Sequence, residues 1–200
     1  MALVIAAVVG VVVIAVIQVG KGSPDLTAEA AVQEQDQNRG LPGQWIDPGA
    51  VYPDTGDHVD GPVPLCEQTT TLETPDGKPA CYHSNPPTSG PHAGNSARWG
   101  IYSEPVPREQ LLHDMEHGGV IIWYNCTGCD EIVSDMRKVA EGYLKDGRNI
   151  IMTPYPDMEA DTIAFTSWSR LDKFPMDQYS DERLTRFVEA HERRFNPENE

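Results

Sequence analysis

The chain has 200 residues, enough for one ordinary domain with appendages, and carries 31 acidic against 15 basic side chains for a formal charge of −16. That balance excludes general nucleic-acid binding, where Lys and Arg must neutralise phosphates, and it disfavours adhesion to anionic lipid. At the N-terminus, Ala2 to Val19 is apolar or small apart from Gln18 and is followed by Gly20-Lys21. A spanning helix needs about 20 such residues, and no small-residue cleavage site closes the run. Residues 1–20 are therefore expected to form an uncleaved single-pass transmembrane signal anchor.

Residues 21–50, rich in Gly, Pro, Gln, Glu and Asp, read as a flexible tether with a short helix near Leu26–Gln37. Residues 51–197 read as the folded domain. Its first part, 51–107, is dominated by turn formers such as Asp54-Thr55-Gly56-Asp57, Asp76-Gly77 and Asn85-Pro86-Pro87, which predicts an irregular lobe. Regular patterns follow. Pro107 to His117 predicts a short helix closed by Gly118-Gly119. Val120 to Tyr124 predicts a strand. Ile132, Val133, Met136, Val139, Ala140 and Tyr143 recur at helical spacing and predict an amphipathic helix over 130–145. Asn149–Thr153 and Thr162–Trp168 predict strands, and Ser180–Phe195 a last helix with Leu184, Phe187, Val188 and His191 on one face. The order suggests an α+β class, a small sheet packed with helices behind the transmembrane segment and the irregular lobe. The aromatic residues Trp99, Tyr102, Trp123, Tyr124, Phe165 and Trp168 are assigned to the core.

The four cysteines form an even set, as in oxidising compartments, which places the domain outside the cytoplasm on the cell membrane. Cys66 and Cys81 bracket a stretch with Asp76-Gly77 at its turn, so a disulfide closing a predicted hairpin (Thr69–Leu72 and Lys78–Tyr82) is expected. Cys126-Thr127-Gly128-Cys129 lies between a strand and a helix, where a helix N-terminus can hold a redox-active thiolate. Asp130 and Glu131 oppose a thiolate there, and no βαβ unit precedes the pair. A static disulfide bracing the turn is the favoured reading.

Ser84-Asn85-Pro86-Pro87-Thr88-Ser89-Gly90-Pro91-His92, Trp99-Gly100-Ile101-Tyr102 and His113-Asp114-Met115-Glu116-His117-Gly118-Gly119-Val120 are more specific. In these motifs, with Asp57-His58-Val59 and Thr153-Pro154-Tyr155, the chain resembles a bacterial domain-of-unknown-function family, number thirty-one-oh-five, over roughly 51–195. The resemblance implies a single fold in an extracytoplasmic setting and implies no activity.

Chemistry must come from the histidines. His113 and His117 stand four apart on the predicted helix, ~5–6 Å from each other, the spacing by which one helix offers two imidazoles to a metal. Leu111 and Met115 fall on the other side of the helix, so the pair is either solvated or covered by a second segment. The proline-stiffened run ending in His92 is a candidate cover, and His58 a fourth ligand. Imidazole donors suit Zn or Cu. Against this stands a structural reading in which His117 meets the helix C-terminus and His92 a backbone carbonyl. His113-x-x-Glu116-His117 also fits the inverted zincin pattern with Glu116 as general base, but no further ligand follows and no catalytic residue is assigned. The expectation is a metal-binding domain rather than an enzyme. The alternative is an accessory or structural subunit of a membrane or envelope complex, and a metallohydrolase or thiol oxidoreductase ranks lower.

Overall fold

The computed structural model describes residues 40–46, 58–66 and 81–194. Among them, six strands and three helices follow in chain order: β1 (Gln44–Trp45), β2 (Gly100–Ile101), α1 (Arg108–Glu116), β3 (Val120–Asn125), α2 (Asp130–Lys145), β4 (Ile150–Pro154), β5 (Thr162–Ser167), β6 (Arg170–Pro175) and α3 (Asp181–His191). The strands form one sheet in the order β1-β6-β5-β3-β4-β2. Strands β3 and β4 pair in parallel, as do β4 and β2, whereas β5 runs antiparallel to β3 and β6 antiparallel to β5.

Both faces of the central strands are covered, which explains the unbroken apolar run in β3. Val120 and Ile122 face one layer, made by Met136 and Ala140 of α2 with Leu184, Phe187 and Val188 of α3. Ile121 and Trp123 face the other, made by Leu111, Leu112 and Met115 of α1 together with Val63, Tyr82 and Val106 from loop segments. The same period-two alternation carries Ile163 and Phe165 to the first face and Ala164 to the second. Trp123 donates its indole N–H to Thr166 Oγ1 at 2.7 Å, so its burial leaves no polar atom stranded.

Local chemistry sets the helix ends. Ser180 caps α3, its Oγ accepting from the Arg183 N–H at 3.2 Å. Gly118 ends α1 with φ +79°, a conformation that costs glycine least. Gly119 is confined sterically: a Cβ there would meet the Asp114 carbonyl oxygen and the Trp99 ring, each at 2.7 Å. Because the Asp114 atom is helix backbone, Gly119→Ala is expected to lower stability by about 1–3 kcal/mol, read as a lower urea midpoint at unchanged m-value.

Two expectations are corrected. The α+β reading with a separate irregular lobe gives way to one mixed sheet between two layers. Strand, helix and strand over β3-α2-β4 form a crossover between parallel partners, and the turn-rich segments 58–66 and 81–99 belong to the second layer instead of standing apart. The membrane reading is withdrawn as well. No helix among the described residues is long and apolar enough to cross a membrane; the longest, α2, has 16 residues and is charged along its outer face, short of the ~20 apolar residues a span needs. The anchor expected over 1–20 lies outside the described residues, so the single-pass, cell-membrane localisation built on it has no support in the fold. The helix near Leu26–Gln37 and most of the hairpin inside 67–80 also lie outside them. Within the expected tether, Gln44 and Trp45 pair with Leu171 and Arg170 of β6.

Candidate metal centre

Helix α1 turns Leu111, Leu112 and Met115 onto the sheet, where all three are fully buried. That phase fixes the rest of its surface. His113, Glu116 and His117 face away from the sheet, toward the segments that carry His58 and His92. These two segments are tied to each other and to α1. His58 and His92 form a parallel β-bridge, with the Val59 N–H donating to the His92 carbonyl at 2.9 Å. The Ala93 N–H donates to the Glu109 carbonyl at 3.0 Å, and the Val63 N–H to Glu109 Oε1 at 2.9 Å. The Arg108 guanidinium donates to the Val63 carbonyl and lies over the Tyr82 ring.

A disulfide completes the frame. Cys66 is bonded to Cys81 beside a bridge between Leu65 and Tyr82, joining the stretch bearing His58 to the stretch bearing His92. The crosslink closes a loop of 15 residues, worth about 3 kcal/mol by the chain-entropy argument. Thermal unfolding of Cys66→Ser/Cys81→Ser is expected to show a loss of that order. His83 stands near these sulfurs and could join them around a metal only as thiolates, which the disulfide precludes. The second cysteine pair, Cys126 and Cys129, is also disulfide-bonded.

The frame brings His58, His92, His113 and Glu116 together: one ligand atom from each lies within 4.8 Å of all the others. The three rings make a near-equilateral triangle, with centroids 5.2, 5.4 and 5.4 Å apart. Trp168, at the turn between β5 and β6, sets its ring edge-to-face on His92 at 6.2 Å. His117 is placed differently. Its Nε2 is 3.0 Å from Nε2 of His113, and it lies outside the mutual set. Glu116, weighed in the sequence only as a general base, takes the fourth place. The available signal was its position three residues after His113, since residues three and four apart share a helix face equally.

The polar contacts of His92 are informative. Nδ1 is 2.9 Å from the Gly90 carbonyl, which can only accept, so this nitrogen carries a proton. Gly90 holds φ +114°, the left-handed side where glycine is favoured. Nε2 lies 2.9 Å from Glu116 Oε2, whose side chain is 12% exposed. A neutral ring would then set a lone pair against a carboxylate. A cation between or on them, proton or metal, makes the arrangement favourable. On His113, Nδ1 is buried and has no hydrogen-bond partner among the described residues.

Burial lowers the pKa of His113, and the neighbouring His92 and His117 push the same way, which favours the neutral ring with a lone pair on one of its nitrogens. Burial would raise Glu116, but the His92 hydrogen bond and the charges of His92, His113 and His117 outweigh it and hold the carboxyl below its usual value. Behind the cluster, Asp114 is fully buried and pushed up to about 7 by desolvation, against the Ala97 N–H it accepts at 3.0 Å. Among the aromatics assigned to the core, Trp99 is 36% exposed, over the end of α1.

A mixed α/β domain carrying three imidazoles and a carboxylate around a common point belongs, by its donor set, with domains that can hold a metal ion. The family model described as "Protein of unknown function (DUF3105)" matches residues 74–200, well over half of the chain, and the chain belongs to that family. No curated protein and no solved structure matches it. His92, His113 and Glu116 lie inside the matched region and His58 before it.

Proposed function

We propose that this domain binds one divalent transition-metal ion, Zn(II) or Cu(II), with His58, His92, His113 and Glu116 as ligands. The observation that carries the reading is the mutual approach of four donor atoms, within 4.8 Å, from three separate chain segments. Tetrahedral bonds of ~2.0–2.1 Å put ligand atoms about 3.3 Å apart, so the donors can close on an ion by small side-chain rotations. The Gly90 carbonyl on His92 Nδ1 supports it too: an outer acceptor that fixes the tautomer and aims the other nitrogen inward is usual for a metal-bound imidazole. His117 serves in this reading as an outer partner of His113.

Four protein ligands fill a tetrahedral ion, which favours a structural or holding role over a catalytic one, since catalytic zinc keeps an open position. With Glu116 among the ligands, no general base remains for the inverted zincin scheme. The test uses tag-free protein stripped with chelator and titrated with Zn(II) and, separately, Cu(II). One ion per chain is expected, and competition between the two ions identifies the preferred metal. Binding well below one ion per chain for both would overturn the proposal.

A further inference from the structure

We propose that the Cys126–Cys129 disulfide is redox-active and exchanges with the thiols of a cysteine-bearing polypeptide segment docked in the groove beside it. The pair sits at the C-terminal end of β3 and the N-terminus of α2, inside the β3-α2-β4 crossover between parallel strands. A C-x-x-C pair in a strand–helix–strand unit is the setting in which a helix N-terminus stabilises a thiolate and makes a disulfide exchangeable. Cys129 is the N-cap residue of α2, its carbonyl accepting from the Val133 N–H at 3.0 Å. Both cysteines are half-buried, and Thr127 and Gly128 between them are exposed.

The second observation is the groove. A cavity of about 460 Å³ opens against the pair, with Gly128, Cys129, Ile132 and Met176 in its lining and Asp161 and Asp177 also along it. Its apolar part suits an extended segment, and the two carboxylates suit a basic residue next to the partner's cysteine. Cys129 lines it and Cys126 does not, so Cys129 is assigned as the sulfur attacked by a docked thiolate. The other disulfide differs in kind: Cys66–Cys81 is tied beside a β-bridge, with the Cys66 N–H donating to the Tyr82 carbonyl at 2.8 Å. The redox pair is also separate from the proposed metal centre. It follows Asn125 at one end of β3, whereas α1 leads into the other end, about 17 Å away along the strand.

In the exchange, a partner thiolate attacks Cys129 Sγ, the Cys126–Cys129 bond breaks, and Cys126 leaves as a thiolate that takes up a proton. A second partner thiolate then attacks the first partner cysteine's sulfur in the mixed disulfide, forming a disulfide within the partner and breaking its bond to Cys129, which leaves as a thiolate and takes up a proton. Two electrons and two protons pass from the partner dithiol to the pair. Asp130 and Glu131 in the first turn of α2 disfavour the thiolates, which stabilises the reduced form less and makes the pair a weak oxidant.

The test equilibrates the full chain, with chelator present, in glutathione buffers of graded reduced-to-oxidised ratio, then alkylates and weighs the two cysteine-containing peptides. Cys126–Cys129 is expected to pass from oxidised to reduced across those ratios while Cys66–Cys81 stays oxidised. In a second arm, Cys126→Ser is mixed with a short peptide whose single cysteine, flanked by Lys and Leu, carries an activated disulfide. The mixed disulfide on Cys129 is expected to form at least tenfold faster than with an uncharged Gly/Ser peptide. A pair that stays oxidised wherever the chain is folded, or is reduced only together with Cys66–Cys81, overturns the proposal. Equal rates for the two peptides overturn the groove as docking site.

Discussion

In His113→Ala the affinity for the preferred metal is expected to fall by more than about 100-fold, while His117→Ala loses about tenfold. The ranking follows from position. Removing an outer partner of a metal-bound imidazole typically costs 10–100-fold, and His117 stands outside the four mutually close donors, with its Nε2 3.0 Å from Nε2 of His113. Removing His113 deletes a donor outright. His92→Ala and Glu116→Ala should match His113→Ala, and His83→Ala, exposed beside the Cys66–Cys81 bridge, should bind as wild type. Because an ion that binds only the folded chain stabilises it by mass action, metal at 100 times its Kd should add about 2.7 kcal/mol to the wild type and nothing measurable to His113→Ala. Competitive titration with a chromophoric chelator reads the affinities, and thermal unfolding with and without metal reads the linkage. If His117→Ala proves as damaging as Glu116→Ala, the set of His58, His92, His113 and Glu116 as ligands is wrong.

The contrast between His117 and Glu116 also shows where the sequence stops being sufficient. The apolar spacing of Leu111 and Met115 announces both the helix and its phase, because a short helix must bury that stripe, and from the phase the outward histidines follow. A proline run ending in His92 announces a stiff segment. Which of Glu116 and His117 meets that segment depends on its approach, set by contacts between residues far apart in the chain: the His58–His92 bridge, Glu109 on Val63, Cys66 on Cys81. No local pattern encodes them. Strands β3, β4 and β5 were legible for a similar reason, as apolar or β-branched runs. Arg170–Pro175 was not, since Arg-Leu-Asp-Lys-Phe-Pro looks like a polar connection and becomes β6 by pairing with β5 on one side and β1 on the other. Parallel pairing of β3 with β4 is equally non-local, so nothing in the local pattern around the C-x-x-C pair reveals the crossover that contains it.

Phe165→Ala is expected to cost about 3–5 kcal/mol, the range for an aromatic side chain removed from a packed core. Phe165 is fully buried in the middle of β5, and its ring lies 5.2 Å from that of Phe174 and 5.8 Å from that of Phe187. It thus joins β5, β6 and α3 in one aromatic cluster, and because Phe174 and Phe187 belong to different elements, neither can move into the void without dragging its own backbone. Chemical denaturation should show a lower midpoint with an unchanged slope, and Phe165→Leu a smaller loss. The effect should stay on one side of the sheet. Phe165 faces α2 and α3, whereas Ala164, its neighbour along the strand, faces the layer that carries the histidines. The folded fraction of Phe165→Ala should therefore bind metal with wild-type affinity, while Gly119→Ala, which presses on the backbone of α1 at Asp114, should alter both stability and metal binding. A loss below about 1 kcal/mol in Phe165→Ala would mean that this aromatic cluster is not the centre of the core, and weakened metal binding in its folded fraction would mean that the two layers are coupled through the sheet.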